Sequence, residues 1–300
     1  MDPELRHAAE RRKWDAHAEA SLPSLDDLPV IAEGQTFSDY ARGKLLLDGM
    51  ADFLGDLDGR EVLEYGCGLG ELTIVLARSG ARVTTFDLSP ASVEFTRRRA
   101  DRDGVTDRIT FVVAAGESLP FPDGAFDLAV GKAVLHHLDP TAGAAELARV
   151  LKPNGRAAFS EPLGMNPVLV FARAYLPYPG KHERGTDRPL TAADIRAWRA
   201  PFQRVRMRPV QLFSMVERAL GFGHPLAPLR ALDRALIGRW PRLGRFCRYG
   251  VLLFEMGPST SSSDGIEAGE RGARPTQEVP IEQSPLEPAK GTGPVEAVQA

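Results

Sequence analysis

The chain has 300 residues, 43% hydrophobic and 26% charged, which is enough apolar material to bury a core. No window approaches the ~18 consecutive apolar residues of a membrane span, and the net charge of −3 gives no global attraction for nucleic acid. Two cysteines, Cys67 in a glycine-rich loop and Cys247 among arginines, suggest no disulfide framework.

Residues 1–22 have helical composition, with Trp14 as a candidate anchor. They are charged from the second residue and lack the apolar core of a secretory signal, so a reducing, cytoplasmic setting is expected. A second helix is predicted over 37–54, with Leu45, Leu46, Met50, Phe53 and Leu54 on one stripe. Strands are then predicted at 61–65, 82–86, 109–113, 126–131 and 156–160, with helices near 70–79, 90–103 and 141–151 and a shorter connection around 117–124. That alternation argues for a parallel sheet with helices on both faces. Past the fifth strand the rhythm breaks. Residues 162–190 contain five prolines and read as an irregular loop with a helical piece near 167–175. Thr191 and Asp194 form a T-x-x-D start for a short helix through Trp198. A β-run at 203–213, basic helical segments at 214–220 and 226–238 and a last strand at 249–256 follow, which suits a final strand returning antiparallel. From Pro258 onward no apolar period is sustained, and a disordered tail is expected.

Charge is unevenly placed. From Lys181 to Arg248 fifteen Lys/Arg face five Asp/Glu, a local net of +10. The stretch reads either as solvated helix faces or as attraction for an acidic substrate or an anionic membrane surface. Aromatic residues interleave with these arginines too thinly, at Trp240 and Phe246, to favour nucleic acid.

The segment from Val62 to Thr73 combines a buried strand, a glycine-rich turn and a helix start, the place where open α/β sheets bind ligands. Glycines stand at 66, 68 and 70 with Glu64 before them, and Glu71 occupies the place where a dinucleotide fingerprint wants its last glycine. An NAD-dependent oxidoreductase is thereby disfavoured. The E-x-G-x-G-x-G pattern resembles the first motif of the class I S-adenosylmethionine (SAM)-dependent methyltransferases. Over roughly 60–161 the resemblance extends to Thr84–Pro90, to Glu117–Asp127, to Val134-Leu135-His136-His137-Leu138 and to Glu146–Gly155.

That resemblance implies a doubly wound, mostly parallel seven-stranded α/β sheet with helical lid insertions, and SAM as cofactor. It places Glu64, Gly66, Cys67, Gly68 and Gly70 in the cofactor loop and Asp87, with Leu88 beside it, on the ribose hydroxyls, where an ionised carboxylate suits a diol. Many relatives hold adenine with an acid after strand three. Here that position is Ala115, leaving backbone near Ala115 and Gly116, or Glu117, for the task. Lys132 is a candidate for the cofactor carboxylate or the acceptor. His136 and His137 beyond strand four and Glu161 beyond strand five are candidate bases, and His182 and Glu183 are weaker ones. Ala133 and His136 stand where some relatives carry metal ligands, so no metal is expected. The chain then divides into an N-terminal helical cap (1–55), a SAM-binding core (56–161), an acceptor-side region with the last strands and a basic helical insertion (162–257), and the tail (258–300). The function read from this is methyl transfer to a small-molecule or lipid-like acceptor, on O or N, against the alternative of a non-catalytic SAM-binding partner subunit.

Overall fold

The computed structural model describes residues 3–47, 49–175, 188–219 and 226–258. Seven strands form a single sheet: β1 (Glu61–Tyr65), β2 (Arg82–Asp87), β3 (Ile109–Val113), β4 (Phe126–Lys132), β5 (Leu151–Pro162), β6 (Arg204–Val210) and β7 (Tyr249–Glu255), in the order β3-β2-β1-β4-β5-β7-β6. The first five run parallel, and β7 pairs antiparallel with both β5 and β6. β6 and β7 thus complete the same sheet, as the antiparallel return at the chain's end requires.

Strand residues alternate between two cores, the period of two that a sheet covered on both faces imposes. Val62, Leu128, Val130, Val251 and Leu253 face a core shared with Ile74, Val75 and Leu76 of α4 (Glu71–Arg78). Leu63, Ala129, Leu252 and Phe254 face the other. There Leu147 of α6 (Pro140–Val150) packs with the fully buried Trp198. Trp198 belongs to α8 (Ala192–Arg199), which the predicted T-x-x-D cap starts: Thr191 and Asp194 bond reciprocally. Helix α5 (Pro90–Arg102) starts at Ser89, whose hydroxyl accepts from the Ser92 N–H.

The predicted helix over 37–54 is not continuous. It is two short helices, α2 (Phe37–Ala41) and α3 (Met50–Leu54), with a 3-10 turn at Leu45–Leu47 between them. Gly43 and Gly49 both take φ +74, a left-handed conformation that breaks the helical ladder, while the apolar stripe still reaches the core through Met50, Phe53 and Leu54.

The N-terminal helix α1 (Pro3–Ser21) is polar nearly throughout, yet it lies against α5. Asp15 accepts hydrogen bonds from the Ser89 hydroxyl (2.6 Å) and the Ala91 N–H (3.2 Å), at the start of that helix. Helices α7 (Pro167–Tyr175), α9 (Val216–Ala219) and α10 (Ala227–Arg239) and a 3-10 helix at Pro241–Phe246 lie between β5 and β7 in the chain. No helix among the described residues is long and apolar enough to cross a membrane. The tail expected from 258 lies, except for Pro258, outside the described residues.

Candidate functional site

Strand order reverses at β1, with β2 on one side and β4 on the other, and a cavity opens beyond the carboxyl ends of these strands. The Gly66–Gly70 loop forms its floor. Gly68 has φ +50, and a Cβ built there would meet nothing within 4 Å, so the loop leaves room on that side. Gly70, φ +76, starts α4 and lies so close to α5 that a Cβ would meet the Thr96 backbone at 3.3 Å. The spacing of glycines in the sequence thus has two local causes: one position bordering the cavity and one pressed against a neighbouring helix.

Asp87, at the end of β2, faces the cavity with Leu88 beside it. Its carboxylate accepts from the Gly68 N–H (3.2 Å) and the Ser89 N–H (3.0 Å). Burial pushes its carboxyl above the ordinary aspartate value, and these N–H groups work against that rise. Ala115, Gly116 and Glu117 after β3 line the next wall. Gly116 is tight: a Cβ would stand 2.9 Å from Leu138. Glu117 pairs with Arg6, lies 3.3 Å from His7 Nε2, and accepts from the Asp139 N–H at 3.0 Å. It therefore joins α1 to the start of α6 at the cavity edge.

Glu64 is placed elsewhere. Its side chain is buried behind the loop and outside the cavity lining, where Oε2 accepts from the Thr73 hydroxyl (2.6 Å) and the Thr85 hydroxyl (2.7 Å). Burial pushes its carboxyl up to about 7, with the two threonines opposing. Cys67 is also buried, 3.9 Å from Asp87 Oδ2; burial and that neighbouring acid raise its thiol pKa, keeping it protonated.

The two histidines part company. Beyond the exposed Lys132 at the cavity lip, Ala133 takes φ 55, a conformation costing a non-glycine residue about 1 kcal/mol. The bend points the Val134 and Leu135 N–H groups at Glu161 Oε1, both at 2.9 Å. His136 Nδ1 lies 2.8 Å from Glu161 Oε2, with the carboxylate fully buried. Neither His136 nor Glu161 lines the cavity. His137 does, with its ring 4.1 Å from that of His136, and its Nδ1 stands 3.1 Å from Glu10 of α1. Trp14 meets the His137 ring edge-on at 6.2 Å and donates to Glu10 at 3.3 Å. Burial works against charge on Glu10, yet His137, Lys13 and Trp14 together hold its carboxyl below the ordinary value.

Sequence reasoning missed most of this cover. His7, Glu10 and Trp14 line the cavity from above, and only Trp14 carried any signal, as a lone aromatic in a polar helix. It also missed a cluster near the lip, where Lys44 Nζ sits 3.2 Å from the Tyr40 ring centroid and 3.8 Å from Glu71. His182 and Glu183 lie outside the described residues.

A doubly wound sheet with a glycine loop at its switch point, and an acid fixed at the end of its second strand, defines an α/β protein whose cavity lies where open sheets of this kind bind ligands. A methyltransferase-domain family model matches residues 63–159. The chain is 37% identical over 152 residues to a demethylmenaquinone methyltransferase of Tropheryma whipplei, covering 46% of this chain and 61% of that protein. It is 31% identical over 175 residues to the ubiquinone/menaquinone biosynthesis C-methyltransferase UbiE of Hahella chejuensis, covering 54% and 66%. Among solved structures, the [4+2]-cyclase SpnF shares the fold with a TM-score of 0.55 at 21% identity, covering 83% of this chain and 96% of that one. The chain spans about three fifths of the length of the curated relatives it matches first. Over residues 63–159 the chain is similar to methyltransferase domains.

Proposed function

We propose that the chain transfers a methyl group from SAM to a hydroxyl or amine of a small, largely apolar acceptor. One observation carries this reading: the Asp87 carboxylate, held by the Gly68 N–H, faces a cavity floored by bare glycine backbone. An acceptor-only carboxylate fits a ribose diol, and a backbone without Cβ fits close approach of an amino-acid-linked nucleoside. The fit lies in the described residues themselves; Ala115 and Gly116 offer backbone, and Glu117 a carboxylate, on the wall assigned to adenine. Lys132 at the lip suits a carboxylate of the cofactor or an anionic part of the acceptor.

SAM supplies an activated methyl on a sulfonium and a neutral leaving group. The protein then has to align, exclude water and manage a proton. Glu10, Trp14 and His7 cover the cavity, and His137 is oriented by Glu10. His136 and Glu161 form a buried pair beyond β4 and β5, outside the cavity lining. His137, whose ring lies 4.1 Å from that of His136 and lines the cavity, is the group that would take the acceptor's proton.

The fold leaves the chemistry open, since a protein named as a cyclase shares it. The names of the sequence relatives, a demethylmenaquinone methyltransferase and a C-methyltransferase of ubiquinone/menaquinone biosynthesis, support methyl transfer to a small molecule. The test is transfer of labelled methyl to a panel of phenols, quinols and amines. Product from at least one acceptor is expected. His137→Gln should lower kcat by ~100-fold, the scale of one general base. SAM binding without turnover across the panel would instead favour a non-catalytic partner subunit, and a product methylated on carbon would refute the O or N assignment.

A further inference from the structure

Two features of the acceptor-side region take no part in the cofactor site. The first is an exposed apolar stripe on α7. Val168, Phe171 and Tyr175, at helical spacing, are 71%, 59% and 68% exposed, with the two rings 4.8 Å apart. The second is a cationic surface. Arg234 and Arg239 of α10, and Arg242 and Arg245 of the 3-10 helix that follows, are exposed and have no acidic partner among the described residues. Arg242 and Arg245 are three apart on a helix with three residues per turn, so they share a face. The only acid in 226–248 is Asp233, and it is turned inward: it is buried and accepts from the Leu212, Phe213 and Ser214 N–H groups and the Ser214 hydroxyl. Trp240, 52% exposed, sits between the arginine pairs, with the Arg239 guanidinium 5.4 Å from its ring.

The two features are joined. Asn166 caps α7 by accepting from the Val168 N–H (3.0 Å), and its amide donates to the Phe246 carbonyl (2.6 Å) at the end of the arginine-bearing 3-10 helix. An apolar stripe is thereby fixed beside a one-sign charged surface. Water leaves such a stripe unsatisfied, and a purely polyanionic partner has no use for valine and phenylalanine beside its phosphates. A bilayer with acidic headgroups offers both phases within a few ångströms, and a tryptophan among arginines suits its interface.

We propose that α7 and the Arg234–Arg245 surface form a peripheral docking face for an anionic lipid bilayer. Its side chains would seat at the boundary of headgroups and acyl chains while the sheet stays in water. This goes beyond the methyl-transfer reading, and vesicle binding registers docking without turnover, so either can fail alone.

The test is co-sedimentation of the full chain with vesicles of phosphatidylcholine alone and with about 30% phosphatidylglycerol. The chain is expected to pellet with the anionic vesicles only, and to be released as salt rises from about 0.1 M to about 0.5 M. The triple variant Arg239→Gln/Arg242→Gln/Arg245→Gln should bind roughly a hundredfold more weakly, each arginine near a charged surface being worth about fivefold. Val168→Ser/Phe171→Ser should also lose binding, with an unchanged thermal midpoint in both variants showing that they fold. No pelleting by the wild type, or undiminished pelleting by the triple variant, overturns the proposal. So does undiminished binding by the α7 variant, which would leave a site for soluble polyanions alone.

Discussion

Replacing Glu64 by Gln should change the pH dependence of stability and leave cofactor binding nearly intact. In the folded chain burial holds this carboxyl up at about 7, against an ordinary value of 4.5. Below about 4.5 both folded and unfolded states are protonated and the group costs nothing. As pH rises the unfolded chain ionises first, so stability falls through this window and levels off above about 7. The full span corresponds to about 3 kcal/mol, of which roughly 2 kcal/mol falls between pH 5 and pH 8. Glutamine retains a carbonyl oxygen for the Thr73 and Thr85 hydroxyls and cannot ionise. Urea melts of both proteins across this range, analysed as two-state transitions, are the assay. The variant should gain on the wild type by roughly 2 kcal/mol from pH 5 to pH 8. Parallel stability curves would refute the assignment of Glu64 as a buried acid behind the loop. A large loss of SAM affinity in the variant would return Glu64 to the cofactor.

Gly68→Ala should weaken SAM binding at least ~10-fold by putting a methyl where the ligand backbone approaches, while the left-handed φ costs the fold only about 1 kcal/mol. Isothermal calorimetry beside a thermal melt separates the two effects, and unchanged affinity would count against close approach at that position. Glu10→Ala removes the partner of His137 Nδ1 and of the Trp14 indole, and should speed hydrogen exchange in α1 and weaken SAM binding several-fold. Unaltered exchange in that helix would mean Glu10 is no latch.

The sheet was legible in the sequence because its signals are local. Each strand from Glu61 to Val113 is a short apolar run ended by a glycine or helix cap, and Thr191 with Asp194 announces α8 in four residues. The helix over 37–54 was misread because apolar spacing alone does not register two left-handed glycines, Gly43 and Gly49. Glu64 follows the family pattern in sequence, but strand alternation sends its side chain behind the loop, toward Thr73 and Thr85, while Asp87 faces the cavity. Cover by α1 was illegible for another reason. Arg6, Glu10 and Asp15 look like solvated helix surface, and their partners Glu117, His137 and Ser89 lie more than seventy residues away. Polar contacts between distant segments leave no periodicity to read. The separate fates of His136 and His137 likewise follow from the bend at Ala133, a single backbone conformation that composition does not encode.

The central claim is that Asp87 grips the sugar of SAM across the glycine loop. Calorimetric titration of SAM into the wild type and Asp87→Ala tests it most directly. The wild type should bind, and the variant should bind about ten- to a hundredfold more weakly through lost charge-assisted hydrogen bonds, with its thermal midpoint little moved. Equal affinity in the two proteins, or no binding by the wild type, would contradict the account.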